Sequence, residues 1–258
     1  MLLAIDIGNT NSVFGIFKNG ELLTHWRLTS AMTRTIDESW ITVKLLCEEE
    51  GIEPDALDDV IIGSVVPNVS DVFATMTEKY LNITPIIVSQ DLPIDINILY
   101  EDPRQVGADR ICNAIAGKSL YNLPQIILDF GTATTFDVLN DTGDYLGGTI
   151  MPGFEISAKD LFKKAARLFK VELKFPDKVI GRTTEESMQA GILFGAVDSI
   201  NGIIRRIQGE MQTSDPDIIV TGGVGKLMLP YIENARVYNP DLTLFGLQII
   251  FNQVSDMG

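Results

Sequence analysis

Two short stretches of the chain share one set of residues suited to holding phosphate and metal. They are Ile5-Asp6-Ile7-Gly8-Asn9-Thr10 and Leu128-Asp129-Phe130-Gly131-Thr132-Ala133-Thr134-Thr135. Each closes an apolar run with a carboxylate, a glycine and small hydroxyl or amide side chains. A carboxylate can hold a hard cation. The glycine lets backbone N–H groups approach a ligand with no Cβ in the way. Either stretch taken alone reads as an ordinary turn, with Asp bonding its own backbone and Gly at positive φ. Two copies in matching surroundings point instead to a pair of phosphate-and-metal loops. A third stretch, Gly107-Ala108-Asp109-Arg110, sets a carboxylate beside a guanidinium at the start of an expected helix. Asp109 there is either an N-cap or the group that takes the proton of an attacking hydroxyl in a phosphoryl transfer.

The elements that position these residues repeat as well. Each loop follows a strand buried on both faces, such as Leu2 to Ile5. An alternating strand comes next, Val13 to Phe17 in one copy and Phe136 to Leu139 in the other. A turn at Asn19-Gly20 or Thr142-Gly143 then leads to a third strand. Repetition this far apart means two homologous half-domains rather than a solenoid. Between them, Thr35 and Glu38 form a capping box opening a helix to about Glu50. A strand over Asp59 to Val66, a helix over Val69 to Leu81 and a strand at Ile86 to Val88 follow. A helix over Val106 to Tyr121 joins the halves. In the second half, helices are expected over Glu155 to Leu168 and Thr184 to Met211, a strand over Asp217 to Thr221, and a last helix over Leu242 to Phe251. Alternating strands and helices make an α/β fold, with a ligand cleft between its halves. Gly147-Gly148-Thr149, Met151-Pro152-Gly153 and Thr221-Gly222-Gly223-Val224-Gly225 are candidate lining segments, although glycines in the first two also serve close packing. The last lacks the spacing of a dinucleotide fold.

Composition excludes several classes. With 258 residues, 45% hydrophobic and 21% charged, the chain is an ordinary folded protein without an evident disordered tail. Asp6 interrupts the first apolar run too early for a secretory signal, and no uninterrupted run is long enough to span a membrane. Cys47 and Cys112 are too few and too far apart for a zinc site, and read as buried thiols in a reducing cytoplasm. The net charge of −15 lacks the basic cluster that a nucleic-acid backbone requires. It would also repel a triphosphate. The first loop holds no lysine, the nearest downstream being Lys18, so cations must be imported: Mg²⁺, with a second cation beside it.

The chain resembles the type III pantothenate kinases. The resemblance rests on Asp6 to Thr10, Gly107 to Arg110, Asp129 to Thr135, Gly147-Gly148 with Pro152-Gly153, and Thr221-Gly222-Gly223, in that order. His25-Trp26-Arg27, Arg34-Thr35 with Asp37-Glu38, Ser64 to Pro67, and Ser187 to Gly191 extend it through essentially the whole chain. It implies a two-domain, actin and sugar-kinase-like (ribonuclease H-like) fold of duplicated mixed-sheet α/β domains with an interdomain cleft. The domains would span 1–118 and 119–258, a last helix near 242–252 packing back on the first, and the protein would be a cytoplasmic homodimer. The implied reaction transfers the γ-phosphoryl of ATP to pantothenate, at the entry to coenzyme A synthesis. Asp6, Ile7, Gly8, Asn9, Thr10, Asn11, Ser12 and Val13 would hold the ATP phosphates with Mg²⁺ at Asp6, and Thr132 would also touch ATP. Asp129 would bind a monovalent cation, K⁺ or NH₄⁺. Asp109 would be the proton acceptor. Tyr100, Gly107, Ala108, Arg110 and Thr184 would contact pantothenate, Thr184 from across the dimer.

Some features do not follow from these assignments. Arg110 beside Asp109 should lower the pKa of that carboxylate and weaken it as a base. Without the resemblance, Tyr100 reads as an amphipathic rim residue. His25, the only histidine, has no evident partner and reads as structural. Phe169, Lys159-Asp160, Tyr145 and Trp40 depart from the family pattern without touching a proposed catalytic group. Two other functions are compatible with the fold: a nucleotide-binding regulatory protein that phosphorylates nothing, and a phosphohydrolase. Asp109, Arg110, Tyr100 and Thr184 favour the kinase over the regulator, because a pure binder has no need of an acceptor pocket. ADP release that requires pantothenate would separate the kinase from the phosphohydrolase.

Overall fold

The computed structural model describes residues 1–30, 34–164, 171–213 and 215–255. The chain divides into two units, residues 1–120 with 241–258 and residues 121–240.

In the first unit, β1 (Leu2–Ile7) is buried along nearly its whole length, as its unbroken apolar run requires. It pairs antiparallel with β2 (Asn11–Lys18), which pairs in turn with β3 (Glu21–Thr29). The hairpin between β2 and β3 turns through Asn19 and Gly20, both at positive φ, the combination that Asn-Gly tolerates best. On its other edge β1 pairs in parallel with β4 (Asp59–Ser64), which pairs with β5 (Ile86–Ile87), giving the order β3-β2-β1-β4-β5. Helix α1 (Ile36–Glu49) begins with the expected capping box: Thr35 accepts from the Glu38 amide while the Glu38 carboxylate accepts from the Thr35 amide. Helix α2 (Pro67–Leu81) starts earlier than expected. Val66 leaves the strand because Pro67 takes the first helical position, where its missing N–H costs nothing. Helix α3 (Ala108–Leu120) comes before the second unit. After that unit the chain returns as α7 (Leu242–Ser255), which packs on α3, β1 and β4.

The second unit repeats the plan. Strands β6 (Gln125–Phe130), β7 (Ala133–Leu139) and β8 (Tyr145–Pro152) form an antiparallel meander, and β9 (Asp217–Thr221) and β10 (Ala235–Tyr238) add in parallel on the other edge of β6. Its order, β10-β9-β6-β7-β8, is the order of the first sheet element for element. Strand β10, too short to show alternation, is not visible in the sequence. Helices α4 (Phe154–Lys164), α5 (Thr184–Met211) and the short α6 (Gly225–Met228) complete the unit. Residues 165–168, where the fourth helix was expected to continue, and Phe169 lie outside the described residues.

Each unit has its own core. Leu3, Ile5, Phe14, Ile62, Phe73 and Met76 are among those that fill the first, and Ile126, Leu128, Phe136, Leu193 and Ile200 the second. Trp40 stacks on Tyr80 at 5.0 Å between ring centres, and buried Tyr145 donates to Asp137 at 2.8 Å, so two departures from the family pattern are packed side chains. Lys159 and Asp160 stand exposed on α4. His25 does have a partner: its Nδ1 lies 3.3 Å from an Asp241 carboxylate oxygen at the start of α7.

Candidate active site

In the first unit, β1 delivers Asp6 half-buried to its C-terminal end, in register with Val13 of β2 and Gly63 of β4. The strands close at the Ile7–Ser12 pair around residues 8–11. Gly8 donates to the Asn11 carbonyl at 3.0 Å. The reason for glycine here is space and not a left-handed φ: a Cβ on Gly8 would stand 3.0 Å from the Asn11 oxygen. Asn9 and Thr10 are exposed at the tip, while Ser12 and Ile7 are buried. Ile7, Asn11 and Val13 thus frame the loop and Asn9 and Thr10 face solvent.

Helix α3 brings the second part. Gly107 caps it, its carbonyl accepting from the Ile111 amide at 3.1 Å. Asp109 is therefore not the cap residue. Its carboxylate accepts the Arg110 amide at 2.8 Å and folds back so closely that a Cβ on Gly107 would lie 2.5 Å from it. A side chain at position 107 would therefore displace the carboxylate from this position. Ala108 and Cys112, one turn apart, seat the helix against Gly63 of β4. The expected lowering of the Asp109 pKa by Arg110 is overturned. Burial raises it, and this outweighs the opposing pull of the Arg110 amide and the Arg110 charge. The sequence showed the adjacent cation but not the loss of water. Cys112, fully buried, has its thiol pushed well up by burial first, and then by the charges of Asp6 and Asp109. Both carboxylates therefore lie near one thiol, and the loop acid and the α3 acid share one neighbourhood. Arg110 is itself 5% exposed. Tyr100 is half-buried in the irregular stretch before α3. That stretch is tied down by Lys118 donating to the Asp95 carbonyl and by the Asp95 amide donating to Gln253.

In the second unit, β6 delivers Asp129 in register with Thr135 of β7 and Thr221 of β9. The strands close at Phe130–Thr134 around residues 131–133, a loop one residue shorter than the first. Gly131 donates to the Ala133 carbonyl at 3.0 Å, and Gly153 to the Thr132 carbonyl at 3.2 Å. A Cβ on Gly153 would lie 2.5 Å from that oxygen. Gly222, at φ +86, would put a Cβ 2.6 Å from an Asp129 carboxylate oxygen and 2.5 Å from the Phe130 nitrogen. The glycine segments after β8 and β9 thus close on the loop that bears Asp129, which is half-buried, and Thr132, which is exposed. Thr184 is exposed on the first turn of α5, in a shallow depression with Arg182, Ser187 and Met188, on an element other than those that close the Asp129 loop.

The sequence profile of the type III pantothenate kinases matches residues 2–206. The chain belongs to the type III pantothenate kinase family. Solved structures with the same fold include a protein from Campylobacter jejuni named for the Baf family of transcriptional activators, 19% identical with a TM-score of 0.62, covering 98% of this chain and 99% of that one. A ROK hexokinase from Thermus thermophilus is 13% identical with a TM-score of 0.51, at 99% of both chains. A ROK family glucokinase from Streptomyces griseus, solved with glucose and AMPPNP, is 13% identical with a TM-score of 0.52, at 99% of both chains. At these identities the likeness shows the actin and sugar-kinase-like fold.

Membership in a kinase family implies ATP with a divalent metal. The residues fit such an ion in a particular way. Among the described residues no cluster of three His, Cys, Asp or Glu side chains could cage a metal. Mg²⁺ does not need one, since it takes one or two carboxylates and fills its octahedron with phosphate oxygens and water. Asp6, half-buried at the end of β1 beside the 8–11 loop, is a hard oxygen donor of the kind that suits that role. Among the described residues, no helix is long and apolar enough to cross a membrane.

Proposed function

We propose that this chain transfers the γ-phosphoryl group of ATP to the primary hydroxyl of pantothenate, giving ADP and 4′-phosphopantothenate, the first step of coenzyme A biosynthesis. The observation that carries the reading is Asp109: a carboxylate whose pKa burial raises, fixed at the start of α3 in the neighbourhood of Asp6. The hydroxyl oxygen attacks the γ-phosphorus, the bond to the ADP oxygen breaks, and the hydroxyl proton passes to Asp109. Asp6 to Val13 hold the ATP phosphates, with Mg²⁺ at Asp6, and Thr132 also contacts ATP. Arg110 pairs with the carboxylate of pantothenate, a geometry guanidinium favours. Tyr100, Gly107, Ala108 and Thr184 complete that pocket, Thr184 from the partner in a homodimer. Asp129 holds K⁺ or NH₄⁺. The reaction is cytoplasmic, which suits two free, buried cysteines.

An assay coupled to ADP release tests this. Release should depend on pantothenate. Equal release without it would indicate a phosphohydrolase, and none under any condition a nucleotide-binding regulator. The monovalent site has its own test. Asp129→Ala should abolish stimulation by K⁺, and a titration in which the variant still responds to K⁺ would contradict the assignment.

A further inference from the structure

Ser30, directly after β3, grips the first loop at two points. Its amide donates to the Thr10 carbonyl at 2.9 Å, and its hydroxyl donates to the Gly8 carbonyl at 2.7 Å. Ser12 Oγ lies 2.8 Å from Ser30 Oγ. A hydroxyl has one proton. That of Ser30 is given to Gly8, so Ser12 is the donor between the two serines. The chain runs from the Ser12 hydroxyl to the Ser30 hydroxyl to the Gly8 carbonyl, each bond polarising the next. Ser12 is 2% exposed, and Ser30 is half-buried, so water competes little.

The consequence lies on the opposite side of the loop. In a planar trans peptide the C=O and the following N–H point in opposite directions. By drawing the Gly8 and Thr10 carbonyls towards itself, Ser30 turns the Asn9 and Asn11 amides the other way and removes two partial negative charges from that side. A face richer in N–H groups than in carbonyls suits a phosphate, and the Asn11 carbonyl that remains on that side is occupied by the Gly8 amide. A single bond would be ordinary loop fastening. Two carbonyls, two residues apart and drawn to one serine, set the polarity of the whole turn.

We infer that Ser30 is a positioning residue for the ATP phosphates, presenting the Asn9 and Asn11 amides without touching substrate. The inference rests on the first loop as the nucleotide site and is independent of the acceptor. The test is calorimetric affinity for Mg²⁺·AMPPNP in the wild-type protein, Ser30→Ala and Ser30→Thr, with KM for pantothenate measured alongside. Ser30→Ala should bind the nucleotide roughly five- to tenfold more weakly, the effect of one lost buried hydrogen bond. Ser30→Thr, which keeps the hydroxyl, should recover most of the loss, and KM for pantothenate should stay within about twofold. Unchanged nucleotide affinity in Ser30→Ala would overturn the inference, as would equal weakening for both substrates, which marks a general loosening. If Ser30→Ala does not fold, Ser12→Ala replaces it. That variant removes the upstream donor and should weaken nucleotide binding two- to threefold, and no change would be equally fatal. A wild-type protein without affinity for Mg²⁺·AMPPNP would bring down the reading of the loop and this inference with it. Wild-type binding unaffected by either serine would bring down the inference alone.

Discussion

Asp109→Asn should retain ATP and pantothenate while phosphorylation falls about a hundredfold or more, the usual span for a lost general base. The variant keeps the shape of the side chain and an oxygen for the Arg110 amide, so the loss reports the missing proton acceptor. Two pH effects accompany it. Burial holds the pKa of Asp109 above its usual value of 3.8 despite Arg110. The base works only when ionised, so wild-type turnover should decline with acid at a pH above the ordinary carboxylate range. For stability, a raised pKa means that the fold favours the protonated form. Its contribution is complete below pH 3.8 and is lost as pH rises through the folded-state pKa. At neutral pH the wild-type protein therefore bears an electrostatic cost that Asn lacks. The variant should melt higher than wild type at pH 7, with the gap closing as pH falls towards 3.8. Near-normal turnover would reject Asp109 as base. A lower melting temperature at pH 7 would reject burial as the dominant influence on it.

The duplication was legible because both copies spell the same local grammar: a buried strand, an acid with a glycine, then an alternating strand and a turn. The Thr35–Glu38 capping box and the Asn19-Gly20 hairpin were equally plain, since each is decided within four residues. What the sequence hid depends on partners far along the chain. The pKa of Asp109 looked depressed because Arg110 is adjacent, whereas its burial comes from the packing of the fold around it. Ser30 shows nothing locally, because its role comes from β2–β3 register, which brings it beside residues 8–12. His25 found Asp241 only because the chain returns to the first unit as α7. Glycines divide the same way. Those at turns announce themselves, whereas Gly63, Gly107 and Gly246 are explained only by what presses on them.

Gly246→Ala should be among the most damaging single substitutions in the first unit. Gly246 lies on the buried face of α7, with Leu242, Leu244, Leu247 and Ile250. There α7 crosses α3 backbone against backbone: a Cβ on Gly246 would overlap the Cys112 carbonyl oxygen and stand 2.7 Å from the Cys112 Cα. A flexible side chain could move aside, but a helical carbonyl cannot without breaking its own turn. Neither helix can sink toward the sheet to relieve the overlap, because Cys112 and Leu247 both abut Gly63 in β4. Overpacking of this kind costs about 3 kcal/mol, which corresponds to a melting point lower by about 10 °C. Gly209→Ala in α5, where an added Cβ meets nothing within 4 Å, is the control. There alanine should stabilise by up to about 1 kcal/mol through helix propensity. The damage should also reach the reaction, because pushing α3 outward displaces Asp109 on its first turn, so the fraction of Gly246→Ala that folds in the cold should show a reduced kcat. A melting temperature within about 2 °C of wild type, well inside the shift that overpacking predicts, would mean that the two helices are not in backbone contact at Cys112.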